Sequence, residues 1–166
     1  DTVTLWADSS GSGNDATTTA GDPTYETNEL NNLAVVRFGV GGTGDQITVS
    51  DHSSLDLNAY TIFTVPRFST LSTWEVLYNK GQWPGGPSPA GGNYRMYSDV
   101  SNTHHLNMAV DNGLQSQITG VSNVDGGWAI LSFYYDGSDL PNTTALEVYL
   151  NGTLDSGAKQ RAAAGN

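Results

Sequence analysis

The sequence predicts an all-β protein, a sandwich or barrel of antiparallel sheets, on three observations. Gly (20), Thr (18), Ser (16) and Asn (14) dominate the 166 residues, a mixture that favours strands and turns over helices. Glu occurs only four times and Lys twice, so the usual residues of a helix surface are nearly absent. Ten short apolar or alternating runs recur with turn residues between them, the pattern of many short strands, and no stretch sustains a helical period.

Taken in order, Val3–Trp6 opens the series and leads into a turn-rich loop from Asp8 to Asp15. Leu33–Phe38 and Gln46–Val49 follow, and the segment 51–59 has room for one helical turn. Tyr60–Phe68 contains Pro66, which cannot donate to a ladder, so this run is an edge strand or kinks at the proline. Glu75–Asn79, Asn93–Ser98, His104–Val110 and Gln115–Thr119 come next. Trp128–Tyr135 is apolar on nearly both faces, as expected of a central strand. In Leu146–Leu150 the aliphatic residues fall on one face, with Glu147 and Tyr149 on the other. Asn151-Gly152 then supplies the strongest hairpin signal in the chain, because both positions tolerate positive φ. Phe38, Val65, Leu131, Phe133, Val148 and Leu150 are the expected residues between the sheets. The Pro/Gly segment 81–92 is the one low-complexity stretch, and no repeat or linker divides the chain, so 1–166 reads as a single domain.

Composition excludes several functions. A chain of this length hides about 68–70% of its unfolded surface, but with 37% hydrophobic residues the core must be thin. Six Lys and Arg face 17 Asp and Glu, giving a net charge of −11, and no cluster of cations is present to grip a phosphate backbone. Nucleic acid and anionic membrane surfaces are therefore poor partners. No apolar run approaches the ~20 residues of a membrane-spanning helix. Without cysteine, disulfides, thiolate zinc sites and Cys nucleophiles are absent. Excess acid with little Lys suits a salty exterior. The chain begins at Asp1 without an initiator Met and ends in Ala162-Ala163-Ala164-Gly165-Asn166, as a piece of a longer polypeptide would.

An ordered set of short motifs resembles a known family. The set comprises Leu5-Trp6-Ala7-Asp8 with Ser10 to Thr17, Leu33-Ala34-Val35-Val36-Arg37-Phe38, and Ile47-Thr48-Val49 with Ser54-Leu55-Asp56-Leu57. It continues with Tyr60 to Val65, Leu77-Tyr78-Asn79-Lys80-Gly81, Asn93-Tyr94-Arg95-Met96-Tyr97, Trp128 to Gly137, and Val148-Tyr149-Leu150-Asn151-Gly152. In this order the pieces resemble the concanavalin A-like lectin/glucanase superfamily, and within it the laminin G-like modules of bacterial and viral surface proteins. The resemblance covers most of 5–152. It implies a jelly-roll sandwich of two antiparallel sheets, one often concave, with Trp6 and Trp128 in the core. In lectin-like relatives that face or its rim loops hold sugar, often near calcium. Family members normally carry a further return and closing strand after the Asn-Gly hairpin. Here Ala158–Asn166 begins such a return, so the closing strand is expected beyond Asn166 or from a neighbouring chain.

Catalysis finds little support in the residues. Glucanase relatives carry Glu-x-Asp-x-x-Glu on one strand, and Glu26, Glu29, Glu75 and Glu147 do not have that spacing; Glu26 and Glu29 are expected in a solvated loop. A polysaccharide lyase would use Tyr, His and Arg types, which Tyr94-Arg95-Met96-Tyr97 and His104-His105 supply. The simpler reading makes these ordinary strand residues. No Gly-x-Ser-x-Gly elbow is present. For metal, Asp8, Asn14 and Asp15 place three oxygen side chains in one glycine-rich loop, a partial calcium set. The competing and simpler reading is an Asx-capped turn.

A glycan site is expected on the pair Asn93–Ser98 and His104–Val110. Residues two apart share a face, so Arg95 and Tyr97 form one set with His105 and Asn107, and Tyr94, Met96, Leu106 and Met108 form the core set. Trp83, in the Pro/Gly segment, either stacks on a sugar ring or folds back as a plug. The expected function is a non-catalytic carbohydrate-binding module outside the cell, on a cell or virion surface, with Ca2+ as the one candidate cofactor. Its partners would be a glycan and neighbouring copies or domains of a larger assembly. The alternative is a structural or adhesive domain acting through protein–protein contacts.

Overall fold

The computed structural model describes residues 1–39, 44–57, 59–68, 75–80, 93–98, 104–109, 114–124, 126–137 and 146–163, with the backbone alone described at 75, 93, 98, 104–109, 114–117 and 156–163. The described strands form several antiparallel sheets, and the only helical element among them is the 3-10 turn Ser53–Leu55. The chain divides into two compact units, Asp1–Leu55 and Asp56–Asn166.

In the first unit, β1 (Leu5–Trp6), β2 (Ala16–Ala20) and β5 (Gln46–Val49) form a sheet in the order β1-β2-β5, beside a hairpin of β3 (Thr24–Leu30) and β4 (Leu33–Arg37). β2 lies outside the runs expected as strands, and β3 lies where Glu26 and Glu29 were expected in a loop. In β2 a run of three threonines supplies the β-branched preference that apolar alternation did not reveal. Glu26 and Glu29 therefore sit on a paired strand: Glu26 accepts a hydrogen bond from Thr24 Oγ1 at 2.8 Å, and Glu29 lies 3.6 Å from Arg37. The β3–β4 turn is closed by the pair Leu30 and Leu33, and Asn31 and Asn32 both have positive φ (50° and 63°). That is the two-residue geometry in which asparagine is second only to glycine.

The expected burial of Trp6 and Phe38 does not occur. Trp6 is 55% and Phe38 49% exposed. Trp6 belongs to a two-residue strand paired on one side only, and Phe38 follows the last residue of β4. Among the described residues, Val3 and Pro23 are the buried ones of this unit.

The second unit carries two larger sheets. The first has five strands: β7 (Glu75–Lys80), β8 (Asn93–Ser98), β9 (His104–Ala109), β10 (Leu114–Gly120) and β14 (Ser156–Ala163), in the order β14-β10-β9-β8-β7. The second has four: β6 (Tyr60–Thr64), β11 (Leu131–Tyr135), β12 (Leu146–Leu150) and β13 (Thr153–Leu154), in the order β13-β12-β11-β6. Ala158–Asn166, read from sequence as the opening of a return, lies as far as Ala163 in an edge strand on β10, and its last three residues fall outside the described residues.

One apolar layer joins the two sheets. Met96 and Ile118 from the five-stranded sheet and Leu131, Phe133 and Val148 from the four-stranded sheet are all 0% exposed and belong to one cluster. Full burial of such a side chain stabilises by about 1.5–3 kcal/mol. β11, central between β12 and β6, buries Leu131, Phe133 and Tyr135 on the core side and Ser132 on the other. β6 ends at Thr64, two residues before Pro66, and lies at the sheet edge. Val65, expected in the core, is consequently past the ladder and 49% exposed, while Leu150 and Trp128 are half-buried. The Asn151-Gly152 turn takes positive φ at both residues (51° and 80°). Asn151 also accepts from the Ile130 N–H through Oδ1 at 2.9 Å and donates its own N–H to the Ile130 carbonyl at 2.8 Å.

A tyrosine group lines one end of this core. The Tyr60 ring lies 4.8 Å from that of Tyr94 and 5.7 Å from that of Tyr135, and Tyr78 meets Tyr94 edge-on at 6.1 Å. The Tyr60 and Tyr78 hydroxyls are buried without a hydrogen-bond partner. Burial, above all, raises the phenol pKa of both, so they stay protonated.

Two outcomes are expected. Phe133→Ala should cost about 3–5 kcal/mol in denaturant unfolding, against less than ~0.5 kcal/mol for the 69%-exposed Phe63 changed to Ala. Tyr60→Phe removes an unsatisfied buried hydroxyl and should stabilise by about 1 kcal/mol; a loss of stability in the same melt would contradict the assignment.

Candidate functional site

The non-core face of the five-stranded sheet follows from strand alternation. Tyr94 and Met96 point to the core and are 8% and 0% exposed, so Arg95 and Tyr97 belong to the opposite face. On β9, Asn107 stands opposite Arg95 and His105 opposite Tyr97. Four of the residues singled out from the sequence therefore occupy neighbouring register positions on one face. Trp83 lies outside the described residues.

Arg95 and Tyr97 are also in direct contact. The Arg95 guanidinium carbon sits 4.5 Å from the Tyr97 ring centroid, within the range of a cation–π contact. Burial lowers the Arg95 pKa, and Tyr97 opposes that shift through its charge and a side-chain hydrogen bond. Tyr97 itself is only 3% exposed, where the sequence suggested a solvent-facing ring. It is a support under the guanidinium rather than an open platform.

The register extends this set beyond the residues found by sequence reasoning. Arg95 faces Asn79 on β7, Asn107 faces Gln117 on β10, and Gln117 faces Gln160 on β14. One level thus runs across all five strands as Asn79, Arg95, Asn107, Gln117 and Gln160. The next level holds Val76, Tyr97, His105 and Thr119. Amides both donate and accept hydrogen bonds, and a guanidinium donates in a fixed plane. No carboxylate occupies a register position on these two levels, and retaining glycoside hydrolysis needs two of them about 5–5.5 Å apart. The residue types at these positions can supply directed hydrogen bonds. The alternation Gln115-Ser116-Gln117 was the available sequence signal for the third amide; β14 gave none, since its small and charged residues carry no apolar period.

In the first unit, the Asp8 loop is built around one carboxylate. Asp8 Oδ1 accepts from the Ser10 N–H at 2.7 Å, and Oδ2 accepts from Ser10 Oγ at 2.7 Å and the Asn14 N–H at 3.0 Å. The Asp8 N–H in turn donates to Asp15 Oδ1 at 2.7 Å, and Asn14 Nδ2 donates to Ser54 Oγ at 3.0 Å. Calcium requires 6–8 converging oxygen acceptors. Here N–H and O–H donors converge on the acceptor oxygens, and no group of three or more His, Cys, Asp or Glu gathers among the described residues. Asp8, Asn14 and Asp15 as arranged form a capped turn. Beside the loop lies a shallow open depression lined by Trp6, Asp8, Ser9 and Asn14.

The Ser10 and Asn14 hydrogen bonds hold the Asp8 carboxyl at a pKa of about 2, below its ordinary 3.8. The folded value is depressed, so this stabilisation is complete above about pH 4 and lost as pH falls through 2. Thermal melts should therefore show a loss of stability between about pH 4 and pH 2 that is smaller in Asp8→Asn. EDTA at neutral pH should leave the melting temperature unchanged. A drop restored by calcium would overturn the capped-turn assignment.

Comparison with protein-family models, with characterised proteins and with solved structures gave no match.

Proposed function

We propose that this chain is a non-catalytic carbohydrate-binding module, acting outside the cell on a cell or virion surface, and that its fold is a concanavalin A-like jelly roll of the laminin G-like kind. The observation carrying this reading is one level of register positions on the five-stranded sheet, where Arg95, its guanidinium seated on the Tyr97 ring, is aligned strand by strand with Asn79, Asn107, Gln117 and Gln160. Sugar recognition uses a few directed hydrogen bonds from a preformed surface. The residue types at these positions can both donate and accept, and no acid holds a register position on this level among the described residues. Two antiparallel sheets around one core are compatible with the jelly roll, and the ordered sequence motifs favour it. Trp83, placed by sequence in the segment that follows β7, is the candidate stacking residue.

A second reading, an adhesive domain working through protein contacts, is favoured by the other sheet. Its outer surface leaves Phe63 69%, Leu154 55% and Tyr134 38% exposed, and such apolar area marks contact surfaces. A glycan array separates the two: retention of a polysaccharide class supports the module. Silence on every sugar, together with self-association abolished by Phe63→Ser in sedimentation, supports adhesion.

Within the carbohydrate reading, Arg95→Lys keeps the charge but loses the planar fork. It should weaken binding by about 1–3 kcal/mol, as should Trp83→Ala, in calorimetric titration. If Trp83→Ala instead melts the fold while affinity survives, the plug arrangement holds for that residue.

A further inference from the structure

Strand β6 leaves one side of its backbone unpaired. It lies at the edge of the four-stranded sheet, with β11 on its inner side. The Ala129 N–H donates to the Pro66 carbonyl at 3.1 Å, and this pair continues the register in which Thr64 faces Leu131 and Ile62 faces Phe133. Hydrogen-bonded and non-hydrogen-bonded pairs alternate along an antiparallel ladder. Tyr60, Ile62 and Thr64 therefore bond to β11, and Thr61, Phe63 and Val65 turn their N–H and C=O groups outward. Among the described residues those outward groups have no hydrogen-bond partner. Thr61 is exposed, Phe63 is 69% and Val65 49% exposed, so this stretch of the edge is open to solvent.

Sheet edges are normally guarded by shortness, charge, bulges or an outward-facing proline. The other edges of this unit follow that rule. β13 has two residues, β7 carries Glu75 and Lys80 with a register shift, and β14 carries Lys159 and Arg161. The run 60–65 has no charged residue and no glycine, and its Ile, Phe, Thr and Val favour strand pairing. Pro66 does not guard it, because in this register its missing N–H falls on the β11 side.

The pattern is complementary to itself. With a copy laid antiparallel and Phe63 opposite Phe63, Thr61 stands against Val65 and Val65 against Thr61. These are the outward-facing residues, so every free N–H meets a free C=O. Such a pair has two-fold symmetry, the commonest symmetry of soluble oligomers, and sets two phenyl rings together as a favourable cross-strand pair. The ends match in charge. Arg67 is exposed, and no ion pair holds it among the described residues; in this register it comes opposite Ala59 of the copy, close in sequence to Asp56. A strand without charge is also where two chains of −11 meet with least repulsion.

We infer that β6 is the docking edge for a second copy of this chain, joined antiparallel through Thr61, Phe63 and Val65, so that two four-stranded sheets continue as one. The edge does not belong to the sheet that carries Arg95, so this inference stands apart from the carbohydrate reading.

The test uses the full chain in sedimentation velocity between about 5 and 500 μM, a range suited to small interfaces. A reversible dimer is expected. Phe63→Pro removes an outward N–H and no ladder bond, and Thr61→Lys adds a guarding charge. Each should weaken dimerisation about tenfold or more with little change in melting temperature, and Arg67→Glu should weaken it several-fold. Tyr134→Ser, on the same face but on the inner strand β11, should leave it unaltered. Single cysteines read the register, since the chain has none of its own. Facing hydrogen-bonded residues have Cα atoms ~5.5 Å apart, within disulfide range. Under mild oxidation Phe63→Cys should cross-link to itself, and Thr61→Cys should cross-link to Val65→Cys but not to itself. A chain that stays monomeric throughout the range overturns the inference. So does a dimer that Tyr134→Ser abolishes while Phe63→Pro and Thr61→Lys retain it, because packing of sheet faces then accounts for it. If both edge variants melt early, the cysteines decide: cross-linking of Thr61→Cys to itself, or of no variant, overturns the edge pairing.

Discussion

The packing of Phe133, Leu131 and Val148 against Met96 and Ile118 is the interaction on which the larger unit rests. These five side chains come from both sheets and are fully withdrawn from solvent. With only 37% hydrophobic residues in the chain, few substitutes exist for them. Their position also decides what the outer faces display. Because strand residues alternate, burying Tyr94 and Met96 commits Arg95 and Tyr97 to the opposite side of β8. Surface chemistry is thus fixed by the core rather than chosen independently of it.

Scarcity of cations shapes the rest. Seventeen acidic residues share six Lys and Arg, so few carboxylates can find an ionic partner. Several are satisfied by N–H and O–H groups instead. Asp8 caps its own loop, Asp45 accepts from the Asp22 and Gly39 N–H groups at 3.0 and 2.5 Å, and Asp155, 7% exposed, accepts from Ser122 Oγ at 2.5 Å. Charged acceptors make stronger hydrogen bonds than neutral ones, which suits a chain whose connections are numerous and whose apolar surface is limited. A similar economy places Asn31, Asn32 and Asn151 at positive φ in hairpin turns.

Much of the larger unit was legible in the sequence because its signals are local. The bounds of β5, β8 and β12 match their apolar alternation, Pro66 marked β6 as an edge, and Asn151-Gly152 marked the turn after β12. β2, β3 and β14 were not legible, since threonine-rich, polar or small-residue strands carry no apolar period. Trp6, placed in the core by the family resemblance, is exposed because a two-residue strand offers little to bury it against. At the candidate site, the opposition of Arg95 to Asn107 could be read from a short hairpin. Its continuation to Gln160 could not, because β14 pairs with β10 across a long stretch of chain.

The shared alternation of core and polar row has a consequence for how such a surface can diverge. Inserting or deleting one residue inside β8 would turn Met96 outward and Arg95 inward together, so length variation within the strand is closed to evolution. Exchange of one amide for another side chain at an outward position leaves the core untouched. Lineages descended from such a fold would change specificity by substitution on the strands, and would accumulate length differences only in the connections between them.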